Sequence, residues 1–406
     1  MIKAKTQSFI ALAYFLIASS LGIILRLFPT TNINATYKYI VHTHSHIALL
    51  GWVYIALTTI IFHVCIKKEA VRKYSMIFWG TQITILGMLF SFPITGYALF
   101  SIIFSTLFLI CSYWFFSFFK KYNHLNKSDY GYKFINGALL FMTISSIGPW
   151  VLGIIMNTLG NSSHWYKNAI YFYLHFQYNG WFIFCLLGLF FLLLEKHQIS
   201  IQKKTISNFY TLIILSCSLT LFLSFLWIKP PVYIYGLALL GAFFQLIAVF
   251  KLHQIINTIK SDLHKSLSRI SIQLLRFIYV LFIFKIVSQT LTSFPYFAEL
   301  VSQLKDFVIG YLHLTFLGIV SLSLFVFLKE FGLIKLSKFW VQIYLSGFIL
   351  SETLIFYKGF CNWQQLSIIN NYYEILVIAS AFIPIGVLGI FIQNIKPVLS
   401  TQQELQ

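Results

Sequence analysis

Residues 39–66 read YIVHTHSHIALLGWVYIALTTIIFHVCI. The run is 28 residues long, contains no Asp, Glu, Lys or Arg, and still carries four histidines. Wound as a helix at about 1.5 Å per residue, it is longer than the ~30 Å hydrocarbon core of a bilayer is thick. Only a membrane-crossing helix uses so long an apolar run. The same criterion, applied outward, predicts eleven more spans near 8–28, 74–92, 95–119, 133–156, 168–194, 207–228, 232–250, 273–292, 306–328, 337–357 and 372–393. Only Pro93 to Gly96 separate the third from the fourth.

Composition agrees. Of 406 residues 59% are hydrophobic and 10% charged, whereas a soluble domain carries about 25% charged residues. No polar linker divides the chain. Soluble, disordered, collagen-like and disulfide-stapled classes are excluded. The first span follows Lys3 and Lys5, but its apolar run is too long for a secretory signal and no small-residue cleavage site follows, so it is expected to be the first helix. The fold class expected is all-α, a polytopic bundle of twelve transmembrane helices in contact with the lipid bilayer.

The net charge of +19 would suggest nucleic acid in a soluble protein. Here its placement gives a different answer. With the N-terminus inside, the inner segments hold 22 of the 29 Lys and Arg residues. The remainder are Arg26, Lys38, Lys167, Lys229, Lys285, Lys305 and Lys358. The positive-inside rule therefore predicts cytoplasmic N- and C-termini, in a membrane such as a bacterial inner membrane. It leaves no support for nucleic acid as a partner. The five cysteines, Cys65, Cys111, Cys185, Cys217 and Cys361, show no paired spacing, so neither a disulfide framework nor a zinc site is expected.

Eleven histidines are present. His63, His124, His197, His253 and His264 fall in or beside inner loops, and His164 in an outer one. The others lie within spans: His42, His44 and His46 on the second, His175 on the sixth, His313 on the tenth. Their contexts repeat. His46-Ile-Ala-Leu-Leu-Gly51-Trp52 matches His175-Phe-Gln-Tyr-Asn-Gly180-Trp181, and His313-Leu-Thr-Phe-Leu-Gly318 matches both as far as the glycine. The intervals of 129 and 138 residues correspond to four helices each. The expectation is three pseudo-symmetric four-helix units, near 1–130, 131–255 and 256–400, within one membrane domain.

Ionisable residues inside a bilayer are costly and face the bundle interior. Neutral imidazole is also a common ligand for haem iron and for copper. His46, His175 and His313 are thus candidate metal ligands, and His42 or His46 with His313 candidate axial ligands of a b-type haem. His42 and His46 share a helix face, while His44 points elsewhere and serves the helix start. At α-helical spacing the glycines five residues on lie about 140° around from their histidines and admit a neighbouring helix. Trp52 and Trp181 are expected to pack in the outer leaflet. Arg26 and Lys38 stand near the histidine layer, where an arginine suits a haem propionate. Lys285, Glu352, Gln82 and Gln245 are further polar residues within spans; Lys285 and Glu352 are candidates for an ion path or an ion pair.

This arrangement resembles the catalytic subunit of the haem-copper oxidases (cytochrome c oxidase subunit I) and their nitric oxide reductase relatives, as a divergent member. His42-Thr43-His44 is similar to the His-Thr-Asn that opens the family's second helix in members using only b- and c-type haems. Gly310-Tyr311-Leu312-His313 with Leu317-Gly318 is similar to the Gly-His-x-His and Leu-Gly of the tenth. The resemblance implies a low-spin haem b on His42 and His313, whereas the internal repeat favours His46. His175 resembles the copper-ligating histidine of the sixth helix. Two departures stand out: the seventh span has no His-His pair, and Tyr311 occupies the high-spin haem ligand's place. The low-spin site is then kept and the binuclear oxygen-reducing centre lost. The implied function is respiratory electron transfer or O2- or NO-related chemistry or sensing, with an electron donor or other respiratory-chain subunits as partners. Two alternatives are a transporter or metal-handling protein using the histidines, and a non-catalytic partner or assembly subunit of an oxidase.

Overall fold

The structure, a computed structural model, describes residues 3–395. The last residues of the chain, including Lys396 of the expected inner C-terminus, lie outside the described residues. Thirteen helices are found among the described residues, and twelve are long and apolar enough to cross a membrane. They are α1 (Ala4–Leu27), α2 (Tyr37–Cys65), α3 (Lys68–Thr95) and α4 (Leu99–Tyr122). Next come α5 (Tyr130–Thr158), α6 (His164–Lys196), α7 (Lys203–Ile228) and α8 (Val232–Ser266). The chain continues with α9 (Arg269–Leu291), the short α10 (Pro295–Gln303), α11 (Lys305–Glu330), α12 (Lys338–Gln364) and α13 (Tyr372–Gln393).

All twelve expected spans are present, and two features differ from expectation. The eighth was expected to stop near residue 250, but α8 runs on to Ser266. The stretch KLHQIINTIKSDLHKS is too polar for a hydropathy scan yet has no Gly or Pro to stop a helix. At 35 residues the helix is about 52 Å long, well beyond a bilayer core. The second difference is α10, which starts on Pro295 at its first position and is too short and polar to register as a span.

Three helices stand apart in burial. The hydrophobic windows of α2, α6 and α11 are 72%, 83% and 72% buried, while every other span lies between 28% and 44%. These are the three that carry the repeated histidines. The remaining spans expose rows of large apolar side chains, such as Ile83, Phe90 and Ile94 on α3 and Ile378, Ile385 and Ile392 on α13, as lipid-facing helices do.

The chain divides into two compact units. The first holds α1–α4, residues 324–361 and the chain from Gln365 onward. Within it α1 packs on α2 and on α13, where Phe9 and Phe391 stack at 4.2 Å. Gly51 lets α1 come close: a Cβ there would sit 2.9 Å from the Tyr14 ring. Main-chain bonds Lys67 N–H to Tyr122 O (3.1 Å) and His124 N–H to Cys65 O (3.0 Å) clasp the ends of α2 and α4. At the opposite end Gly96, with φ of +62°, turns the chain beneath the Tyr39 ring, 2.4 Å from where a Cβ would be. Only glycine meets both conditions.

The second unit holds Asn126–Ser323 and Asn362–Gln364. Here α5 packs on α6, α7 on α8, α8 on α9, and α9 on the middle of α11. Gly180 takes the part that Gly51 takes in the first unit: a Cβ would sit 2.6 Å from Phe141 of α5.

Candidate functional site

In each of the three buried helices the backbone changes at the histidine. α2 is α-helical for ten residues up to His46, then π-helical over Ile47–Tyr54. α6 is α-helical for twelve residues up to His175, then π-helical over Phe176–Phe182. α11 is α-helical for nine residues up to His313, then π-helical over Leu314–Ser321. Bonding i to i+5 widens the turn, and such segments are rare and frequent at functional sites. In a π turn, residues five apart stack, so Gly51, Gly180 and Gly318 come round toward the side of their histidines rather than 140° away. The expected angle is corrected by this widening. The expectation that the glycines admit neighbouring helices holds for Gly51 and Gly180.

In the first unit the three clustered histidines divide by role. His44 Nδ1–H donates to the Ala18 carbonyl of α1 at 2.9 Å, and its ring lies against Gly22. It ties two helices together rather than serving the helix start. His46 Nδ1–H donates to the His42 carbonyl one turn back at 2.8 Å. In a neutral ring this places the lone pair on Nε2, with the Tyr97 hydroxyl 3.4 Å away. The Phe92 ring lies 4.3 Å from the His46 ring and the Tyr97 ring 4.6 Å from that of His42. His42 Nε2 is buried and makes no hydrogen bond. His42 and His46 therefore share one aromatic-lined face.

Arg26, at the end of α1, is half-buried and within electrostatic reach of Glu352 on α12 and of Tyr37, Tyr372 and His44. Glu352 is buried, and Arg26 is the cation acting on it. Trp52 is wholly buried and stacks on Phe15 at 4.6 Å; it belongs to the core of its unit. Gln82 is likewise buried and accepts from the Tyr14 hydroxyl at 2.9 Å.

In the second unit His175 is buried and occupied at both ring nitrogens. Nε2–H donates to the Cys217 carbonyl of α7 at 2.8 Å, and Nδ1 accepts from Asn179 Nδ2 at 3.3 Å. Asn179 Oδ1 in turn accepts from Lys285 Nζ at 2.7 Å. Lys285 also donates to Gln289 Oε1 at 2.7 Å, and Gln245 Nε2 donates to the same oxygen at 3.2 Å. One polar chain thus links α8, α9, α6 and α7 through otherwise apolar surroundings. Lys285 is 1% exposed, and its ammonium sits 5.5 Å over the Tyr311 ring of α11. Lys285 and Glu352 accordingly have separate partners, two amides for the first and Arg26 for the second. His313 lies one residue beyond Leu312 at the last α-helical position of its helix.

The sequence reading missed Tyr97, Asn179 and Gln289. The last two had a signal: each stands four residues after an ionisable residue on the same helix, His175 or Lys285, the spacing at which helical side chains meet.

A haem or metal ligand needs a free, aimed nitrogen, and a ligating histidine typically donates its other N–H to a carbonyl or carboxylate. His46 has the N–H side of this pattern, and its Nε2 meets the exposed Tyr97 hydroxyl at 3.4 Å, a partner that a ligand would displace; the partnerless Nε2 of His42 leaves it open as an alternative. His175 does not fit copper, because its nitrogens are held by the buried Cys217 carbonyl and by a buried Asn179 that Lys285 fixes in turn. Among the described residues no group of three or more His, Cys, Asp and Glu side chains is placed to hold a metal ion. Comparison of the sequence with protein-family models and with curated proteins finds no match.

Proposed function

We propose that this twelve-span membrane protein binds a low-spin b-type haem for electron transfer or small-gas chemistry, with His46 as an axial ligand. The observation that carries the reading is the His46 ring. It is oriented by the His42 carbonyl through Nδ1, which leaves the lone pair on Nε2, where a haem iron would take the place of the Tyr97 hydroxyl now 3.4 Å away. Such a haem would supply a one-electron carrier. The residues around it have simpler tasks. The carbonyl of His42 holds the tautomer, the Phe92 ring packs against the imidazole, and Arg26 offers a cation near the histidine layer. His42, one turn away on the same helix face, is the alternative ligand to His46. The proposal includes the orientation with both termini in the cytoplasm of a bacterial inner membrane and an electron donor as partner.

A copper- or metal-transport reading has less support, since His175 has no free nitrogen. The test is spectroscopic. Purified protein from haem-replete cells is expected to show a reduced-minus-oxidised b-haem band, with pyridine haemochrome giving the stoichiometry. The band should vanish in His46→Ala and persist in His175→Ala. Protein free of haem after such expression, or a band untouched by both His46→Ala and His42→Ala, would end the proposal.

A further inference from the structure

The helix α7 changes pitch part-way along. It is α-helical over Lys203–Thr220 and 3-10-helical over Leu221–Ile228. Eight residues is long for a 3-10 helix, which seldom exceeds about four because its hydrogen bonds are poorly aligned. The segment, LFLSFLWI, contains no Gly or Pro, so its own sequence does not bar an α-helix. Its pitch is set from outside. At the junction the Cys217 carbonyl accepts from His175 Nε2–H of α6 at 2.8 Å and from the Thr220 hydroxyl at 3.4 Å. An α turn would bring the Leu221 N–H back to that carbonyl; here the Leu221 N–H is on the Leu219 carbonyl instead. The neighbouring α8 presses on the same point, since a Cβ on Gly241 would sit 2.7 Å from the Thr220 nitrogen. At the far end Trp227 Nε1–H donates to Asn168 Oδ1 of α6 at 2.9 Å, and Lys229 Nζ pairs with Glu299 Oε1 of α10 at 2.8 Å. Between the two ends, residues three apart eclipse, as 3-10 winding requires. Phe222 meets Phe225 edge to face at 6.4 Å, and Leu223 and Leu226 pack together with Ala238 of α8 and Ala298 of α10.

We propose that the last eight residues of α7 are a latched two-state segment. It stays 3-10-wound while His175 holds the Cys217 carbonyl and rewinds as α-helix when His175 releases it, with Trp227–Asn168 and Lys229–Glu299 as the catch. The imidazole N–H and the Leu221 N–H compete for one carbonyl, and the side chain has it. A 3-10 residue rises about 2.0 Å and turns about 120°, an α residue about 1.5 Å and 100°. Over the segment, rewinding shortens α7 by about 4 Å and turns its end by about 160°. Trp227 and Lys229 then leave their partners, and the turn into α8 draws away from α10. A hydrogen-bond acceptor that takes the His175 N–H is the trigger for this movement. The device uses none of the residues of the haem reading.

The experiment measures the length of α7. Spin labels at Ser207→Cys and Ile228→Cys, both exposed positions, are placed in the full-length protein with its native cysteines replaced by serine or alanine. Cys217 takes part only through its main-chain carbonyl, so its replacement leaves the latch intact. Pulsed electron paramagnetic resonance is expected to give one distance in this background. His175→Phe, which fills the space of the imidazole without an N–H, should shorten it by about 4 Å. Trp227→Phe, which opens only the catch, should add the shorter distance as a second population. The proposal is overturned if His175→Phe keeps the original distance, or if its distances become longer or featureless, the mark of unwinding rather than rewinding. If His175→Phe does not fold, Trp227→Phe decides, and a single unchanged distance there overturns the proposal equally.

Discussion

His44 and His46 stand two residues apart on one helix, yet their hydrogen bonds give them opposite work. His44 spends its Nδ1–H on another helix, at Ala18, while His46 spends the same atom on its own. His44→Ala should therefore lower stability by about 1–2 kcal/mol, the scale of one buried hydrogen bond with its packing, and leave any haem band in place. His46→Ala should do the reverse. Thermal unfolding and difference spectra on the two variants separate them. Asn179 is the more dangerous position. Asn179→Leu deprives Lys285 of one of two acceptors and His175 of its Nδ1 donor, so it should cost about 3 kcal/mol or more. Adding Lys285→Met to it should restore part of that loss, which a double-mutant cycle on melting data would show. The participants His46 and His175 were legible from the repeated His-x4-Gly spacing. Their partners were less so, because a backbone carbonyl such as that of Cys217 has no signature in sequence.

At the scale of the element, the π-helical stretches decide what lies above each histidine. Two of their sequences, IALLGWVY and LTFLGIVS, are as apolar as the neighbouring α-helical spans, the third, FQYNGWF, is interrupted by Gln177 and Asn179, and hydropathy reads only how much is apolar. The change of hydrogen-bond period was therefore invisible, although the spacing of five to the glycine was its trace. Deleting one residue between Ile47 and Tyr54 should convert the widened turn toward α geometry. That would change the turn between the two ends of α2 and disturb the seating of His46 against Phe92 and Tyr97. We expect such a deletion to insert and remain helical by circular dichroism while losing haem. Gly180→Leu works at the same scale. It forces a side chain into the space of Phe141 and should cost about 1–3 kcal/mol or more by overpacking, seen as a lowered melting temperature.

For the whole molecule, twelve spans were readable because the bilayer sets their length and apolarity. Which helix packs on which was not, since lipid and helix surfaces are equally apolar and association depends on small residues and local shape. The placement of α13 on α1 and of α9 on the middle of α11 illustrates the point: nothing in hydropathy distinguishes those neighbours from others. Orientation makes a separate prediction. A cysteine introduced at Lys260, on the long extension of α8, should react with an impermeant maleimide only from the cytoplasmic side. One introduced at Asn161, between α5 and α6, should react only from the outside. Equal labelling from one side would reject the assigned topology.

The first compact unit is discontinuous along the chain, and this has a consequence for biosynthesis. Its opening helices, α1–α4, are made first, but α13, against which Phe9 of α1 stacks, begins only at Tyr372. Roughly 250 residues separate α4 from that point, which at ribosomal speeds is a wait on the order of tens of seconds. During it the face of α1 meant for α13 has only lipid for company. A nascent chain stalled at residue 371 would hold an incomplete first unit when every residue of the second has been made, which makes the early helices the natural clients of membrane chaperones.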